Sequence, residues 1–308
     1  MHPPRHSPKY PSSCPYCGVT IQQRSDSSKD HVVPKSAFAV VPQDALTIRC
    51  CNGCNNEVKS ADDQAFGGSV PCSRGLARHN PAMCGRYTHK LTWQQIVNLY
   101  RLTLPDEPPP QLQPTYNAAP TQALPIIRPS GNGRELVMAG WGLIPYWLKI
   151  EDLGKRPYAT INARAETIRT SPTYHEPFKK RRCLVPATGW YVWQDVRKKK
   201  TRPIHMCAKA EPFAFAGVWD AWKGDGGPGI ISFAIVTTAA APSVSVYRSR
   251  MPVVLGDAQF DQWMLGTPDE AATLMVPYEG AIEAWEVSPD VGSPKNNRPE
   301  LLDRVGLL

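Results

Sequence analysis

Hydrophobic and polar positions divide the chain near residue 83. From Thr92 to Leu102 (TWQQIVNLYRL) the apolar residues recur at helical spacing behind a threonine placed to cap the helix. Pro105 to Pro114 reads as a proline-rich loop. Short apolar runs follow at Ala123–Ile127, Leu136–Ala139, Cys183–Val185, Phe213–Phe215 and Ile230–Thr237, and their β-branched and aromatic content predicts strands. Gly256–Leu265 and Thr267–Met275 read as short helices, the second entered through Thr267 as N-cap with Pro268 in its first turn. Many strands and few helices predict an α+β fold with a curled, barrel-like mixed sheet and flanking helices. No internal repeat is visible.

Upstream the pattern changes. Residues before 83 are polar and cysteine-rich, and Ala65–Ala82 (AFGGSVPCSRGLARHNPA) carries neither period, as expected of a linker. The predicted organisation is a small module over 10–64, a linker over 65–82 and a larger domain over 83–308.

Composition narrows the function classes. Hydrophobic residues make up 42% and charged residues 20%, as in globular proteins rather than disordered ones. The start has no signal-peptide core and no apolar run is long enough to span a bilayer, so no membrane partner and a cytoplasmic, nucleoid-associated location are expected. A net charge of +8 and a pI near 9.0 permit nucleic-acid binding, which draws much of its affinity from phosphate neutralisation. A merely basic soluble protein would share this balance.

The nine cysteines cluster at the front: Cys14, Cys17, Cys50, Cys51, Cys54 and Cys72 precede Cys84, Cys183 and Cys207. An odd count argues for metal or nucleophile chemistry over a disulfide framework. Cys14-Pro-Tyr-Cys17 and Cys51-Asn-Gly-Cys54 are two C-x-x-C knuckles, each placing two thiolates on a tight turn. Together Cys14, Cys17, Cys51 and Cys54 are candidate ligands for one structural zinc, which a segment of this size needs to fold.

Between the knuckles lies Asp30-His31-Val32-Val33-Pro34. This arrangement resembles the HNH endonucleases, with their ββα-metal site. The resemblance implies His31 as candidate nuclease base; a histidine in a purely structural zinc module is the alternative. Leu46 stands where that family carries its middle asparagine, and the lysine that follows Cys-Asn is displaced by one, to Lys59. Both departures argue against cleavage.

The larger domain carries its own ordered motifs. They are Cys84-Gly85-Arg86-Tyr87, Tyr116-Asn117-Ala118-Ala119-Pro120-Thr121, Trp141-Gly142-Leu143-Ile144-Pro145-Tyr146-Trp147 and Ile161-Asn162-Ala163-Arg164-Ala165-Glu166-Thr167. Arg182–Ala187, Phe215–Trp219, Thr237–Ala239 and Arg250–Val253 complete the series. This order resembles the SRAP (SOS response-associated peptidase) family over residues 83–303.

The resemblance implies a DNA-damage protein that recognises abasic sites in single-stranded DNA. An N-terminal cysteine is a 1,2-aminothiol, with an amine pKa of about 8 and a thiol pKa of about 8.5. Its amine condenses with the ring-opened aldehyde of an abasic site, and its thiol then closes a thiazolidine. Cys84 is thereby the candidate nucleophile, and Asn162 the residue that orients the reacting groups. Arg86, Asn117, Arg164 and Arg248 are candidate DNA-binding residues, and Trp147 a candidate stacking face. Core packing is the alternative for Trp147, and a structural pair with Glu166 for Arg164. No cofactor is expected in this domain, and a monomer is expected.

Three positions depart from the family. The motif G-[FWY]-[FY]-E-W reads Gly189-Trp190-Tyr191-Val192-Trp193, so a valine replaces the acid. H-x-R-M-P reads Arg248-Ser249-Arg250-Met251-Pro252, so an always-protonated arginine replaces a histidine. Cys84 also stands within the chain, where its nitrogen is acylated. Cross-linking then requires a cut before Cys84 or a translation start at Met83. The alternatives are a non-catalytic DNA-binding protein with a degenerate SRAP site, and an HNH-type metal-dependent nuclease.

Overall fold

The computed structural model describes residues 27–30, 48–51, 85–103, 112–131, 133–153, 160–197, 200–209, 212–224 and 229–306. In the first part, β1 (Ser27–Asp30) pairs antiparallel with β2 (Ile48–Cys51), Ser27 opposite Cys51 and Asp30 opposite Ile48. Cys14, Cys17, His31 and Cys54 lie outside the described residues, as does the side chain of Cys51.

The remaining strands are β3 (Tyr87–His89), β4 (Thr115–Ala118), β5 (Ala123–Ser130), β6 (Gly133–Trp141), β7 (Asn162–Arg164) and β8 (Arg182–Pro186). They continue as β9 (Gly189–Arg197), β10 (Lys200–Ala208), β11 (Phe213–Trp222), β12 (Ile230–Ala239), β13 (Arg250–Pro252), β14 (Val254–Gly256) and β15 (Ile282–Glu286). Five of them close a ring. β12 pairs with β6, β6 with β5, β5 with β8 and β8 with β11, and β11 returns to β12. Only the β6 and β7 contacts to β12 are parallel, so the sheet is mixed and barrel-like, with β7, β13 and β14 as appendages. A second sheet runs β15-β10-β9-β3-β4.

Alternation along the strands sorts the core into two layers. On β12, Phe233 and Ile235 join one apolar cluster with Trp190, Val192, Met206 and Phe215, which also takes residues of the second sheet. Ala234 and Val236 face the other way, into a cluster that includes the helices. Those helices are α1 (Trp93–Tyr100), α2 (His175–Lys180), α3 (Pro242–Ser245), α4 (Phe260–Leu265) and α5 (Pro268–Thr273).

Two helix starts follow their capping boxes. Gln95 N donates to Thr92 Oγ1 at 3.3 Å and Thr92 N to Gln95 Oε1 at 2.9 Å, and α1 buries Ile96 and Tyr100, four residues apart on one face. At α5, Glu270 N donates to Thr267 Oγ1 at 3.2 Å and Thr267 N to Glu270 Oε2 at 2.7 Å. The expected helix over Gly256–Leu265 begins instead as a 3-10 turn, Asp257–Gln259, before α4. No helix among the described residues is long and apolar enough to cross a membrane.

Candidate functional site

The backbone just after Cys84 is fixed from the outset. Cys84 itself lies outside the described residues, but Gly85, Arg86 and Tyr87 are buried. Tyr191 N on β9 donates to Arg86 O at 3.0 Å. The Arg86 guanidinium donates to Asn117 Oδ1 at 2.7 Å, to Val291 O at 3.0 Å and to Gly292 O at 2.9 Å. Asn117 Nδ2 in turn donates to the carbonyls of Val291, Ser293 and Asn296. Both residues were expected at a DNA surface. The structure places both inside the fold instead: at 1% exposure each, they tie β3 and β4 to the 289–296 turns.

Asn162 sits on β7 and is buried. Three consecutive carbonyls around it are held by side-chain donors from three different elements. Trp141 Nε1 donates to Ile161 O at 2.9 Å, Tyr174 OH to Asn162 O at 3.0 Å and Thr237 Oγ1 to Ala163 O at 3.4 Å. Burial pushes the Tyr174 phenol well above its ordinary pKa, so it stays a neutral donor. Held at each carbonyl, this short strand can present Asn162 in one orientation.

Beyond Asn162 the chain reaches the surface. Arg164 is exposed. Glu166 takes a bidentate grip from Arg250, at 2.9 and 3.0 Å, and Arg250 Nη2 also donates to Thr237 O at 2.7 Å. The Arg250 hydrogen bond holds the Glu166 carboxyl below the usual carboxylate range, with Arg164 adding a smaller charge contribution. The dominant partner of Glu166 is therefore Arg250 rather than Arg164. Register brings these groups together: on β12, Thr237 faces Arg164 of β7, and Ala239 faces Arg250 of β13.

Val192 and Arg248, the two substituted positions, part company. Val192 is 3% exposed in an apolar cluster, opposite Ile204 of β10. Arg248 reaches Asp195 Oδ2 at 3.0 Å, near the end of the same strand β9. Trp147 is 50% exposed, which removes the core-packing alternative.

The sequence profile of the SOS response associated peptidase (SRAP) family matches residues 83–294. The chain belongs to the SRAP family. It is 36% identical over 228 residues to the abasic site processing protein YoaM of Bacillus subtilis, covering 72% of this chain and 98% of that protein. It is 28% identical over 273 residues to the mouse abasic site processing protein HMCES, covering 73% and 77%. Among solved structures, a Bacteroides thetaiotaomicron protein aligns with TM-score 0.56 at 31% identity, over 63% of this chain and 86% of that one. A Bordetella bronchiseptica protein aligns with TM-score 0.57 at 26% identity, over 67% and 100%. The SRAP assignment thus agrees with the mixed, barrel-like sheet.

Sequence reading gave no role to Tyr174, Asp195 or Arg250. Arg250 was within reach, because it lies in the same Arg-Ser-Arg-Met-Pro motif as Arg248. Asp195 lies 53 residues from Arg248 in sequence, and Tyr174, 12 residues after Asn162, carries no local signal of its bond to that carbonyl.

Proposed function

We propose that this protein recognises abasic sites in single-stranded DNA and caps them through Cys84 once the Cys84 amine is free. What carries the reading is the kinship to abasic site processing proteins, along 98% of the length of YoaM and 77% of mouse HMCES, together with Cys84-Gly85-Arg86-Tyr87 and the Asn162 segment. The supporting geometry is a rigid Asn162 beside a surface bearing Arg164 and Arg250, with Trp147 exposed on the segment that follows β6. The amine of Cys84 attacks the aldehyde carbon and water leaves, giving an imine. The thiol sulfur then adds to the imine carbon, its proton passes to nitrogen, and the ring closes. Arg164 and Arg250 suit the flanking phosphates and Trp147 an unpaired base.

A chain beginning at Cys84 is expected to form a denaturation-resistant adduct with abasic single-stranded DNA, and Cys84→Ala none. No adduct from the Cys84-initiated chain overturns the reading. A second reading, salt-sensitive single-strand binding without chemistry, is favoured by one observation: Val192 and Arg248 stand in place of the proton-transferring acid and histidine.

For the first part of the chain we propose a structural zinc on Cys14, Cys17, Cys51 and Cys54, on knuckle spacing alone. Metal analysis of the parent against Cys14→Ser tests it, equal zinc in both counting against the site.

A further inference from the structure

The segment that presents Trp147 is an excursion from a single strand. It leaves at the end of β6, where Gly140 and Trp141 pair with Ser232 and Phe233 of β12, and returns as β7, which pairs with Ile235–Thr237 of the same strand. Gly142 opens it with φ +134°, a conformation that side chains with a Cβ rarely adopt. Buried groups then pin the backbone. Gly142 N donates to Phe233 O at 2.9 Å, Ile144 N to Ser232 Oγ at 2.8 Å and Tyr146 N to Asp220 Oδ2 at 3.0 Å, while Leu148 O accepts from Trp222 Nε1 at 2.6 Å.

The pinned backbone nevertheless holds its large side chains outward. Tyr146 is 56% exposed, next to Trp147. Apolar surface held out by a rigid backbone contributes nothing to the core, so its use lies in contact with something else. Asp220, 2% exposed, organises a second group at the same place. Its Oδ1 lies 3.2 Å from Arg181 Nε, and the Arg181 guanidinium carbon lies 5.9 Å from the Tyr146 ring centre. One buried carboxylate thus sets both an exposed aromatic side chain and a cation over its ring, with the exposed Lys179 and Lys180 just before Arg181.

We propose that Tyr146 and Arg181 form a nucleotide subsite for the single strand, the ring stacking on a base and the guanidinium facing the adjoining phosphate. This rests on the single-strand reading above. An aromatic face is the sequence-tolerant element of such sites, and the basic neighbours match a polyanion. Along β12, Ser232 and Thr237 are separated by roughly 17 Å of strand. The subsite therefore engages nucleotides displaced from the Arg164–Arg250 surface, and lengthens the footprint instead of duplicating it.

Fluorescence anisotropy of the full chain with labelled oligothymidylate tests this without any covalent step. Tyr146→Ala is expected to weaken binding on the order of tenfold, with Tyr146→Phe and Ile150→Ala near the parent. On an oligonucleotide too short to span both places, the Tyr146→Ala defect is expected to vanish. Parental affinity in Tyr146→Ala overturns the subsite while leaving the single-strand reading intact. Equal loss in Tyr146→Phe or Ile150→Ala also overturns it, pointing to fold or to a protein-binding patch. Absence of salt-sensitive binding by the parent overturns both.

Discussion

Arg248 donates to Asp195 at 3.0 Å, so the arginine that replaces the family's histidine is met by an acid from β9. Arg248 is largely covered whereas Asp195 is mostly exposed, and such pairs are held weakly because solvent screens the acid. On the proposed reading, a DNA phosphate competes with Asp195 for Arg248. Asp195→Asn is therefore expected to raise single-strand affinity about two- to fivefold at low salt, with the gain shrinking as salt rises. Arg248→Ala is expected to lower affinity and to flatten the log K against log salt slope by about 0.7. Salt titrations of the three proteins check this, and identical slopes would remove Arg248 from the DNA surface.

The Arg86–Asn117 lock leads to the opposite kind of outcome. Removing the guanidinium strands Asn117 Oδ1 and Gly292 O inside the fold and takes from Val291 O one of its two donors, leaving Asn117 Nδ2. Arg86→Ala is expected to cost on the order of 3–5 kcal/mol, or a Tm drop on the order of 10 °C. Single-strand affinity of the still-folded protein is expected to stay unchanged. A loss of affinity with an unchanged melting curve would return Arg86 to the DNA surface.

These two arginines show what was legible in the sequence. The motifs supplied the candidate site residues, and the apolar runs located β5, β6, β8, β11 and β12, because those strands alternate or run apolar for several residues. Whether an arginine serves the fold or the ligand depends on what the chain brings against it. Val291, two hundred residues from Arg86, has no local trace at Arg86. The hairpin of β9 and β10 escaped for a different reason. Trp190, Tyr191 and Val192 are buried on both faces, which erases the two-residue period, and β10 carries Pro203. Proline usually argues against a strand. It is tolerated here one residue outside the β10–β15 ladder, which begins with Ile204 opposite Glu286.

Two buried histidines make stability fall in acid. His205 is enclosed by Tyr191 and Trp285, at ring distances of 5.0 and 4.6 Å, and burial, with a smaller contribution from Lys90, lowers its pKa to about 3. Burial lowers His89 to about 4. Both folded values lie below the ordinary 6.5, so the unfolded chain binds the extra protons. Above pH about 6.5 neither histidine affects the balance. Below it, stability is lost by up to about 1.4 kcal/mol per pH unit for each histidine, until the folded values are reached. Thermal melts from pH 7 down toward about 4 are expected to show this fall, with His205→Gln losing part of the slope. An unchanged slope in that variant would place the acid sensitivity elsewhere.

Val192 lies in an apolar layer opposite Ile204, so a glutamate there enters a site that disfavours its charge. Its folded pKa is expected above its unfolded value, so the folded state of Val192→Glu binds the proton more tightly. The variant is then closest to the parent in stability at pH below about 4.3, and falls behind as pH rises through the folded pKa. Melting curves compared at acid and mildly alkaline pH check the sign. A raised pKa is also what a general acid needs near neutrality, and acid–base catalysis contributes about 10²–10⁴-fold where geometry allows. Combined with Arg248→His in a Cys84-initiated chain, Val192→Glu is expected to speed adduct formation at least on the order of tenfold, with Arg248→His alone giving less. If the double variant folds, shows the shifted pH dependence and gains no rate, the absence of an acid at 192 and a histidine at 248 is not what limits adduct formation by the Cys84-initiated chain.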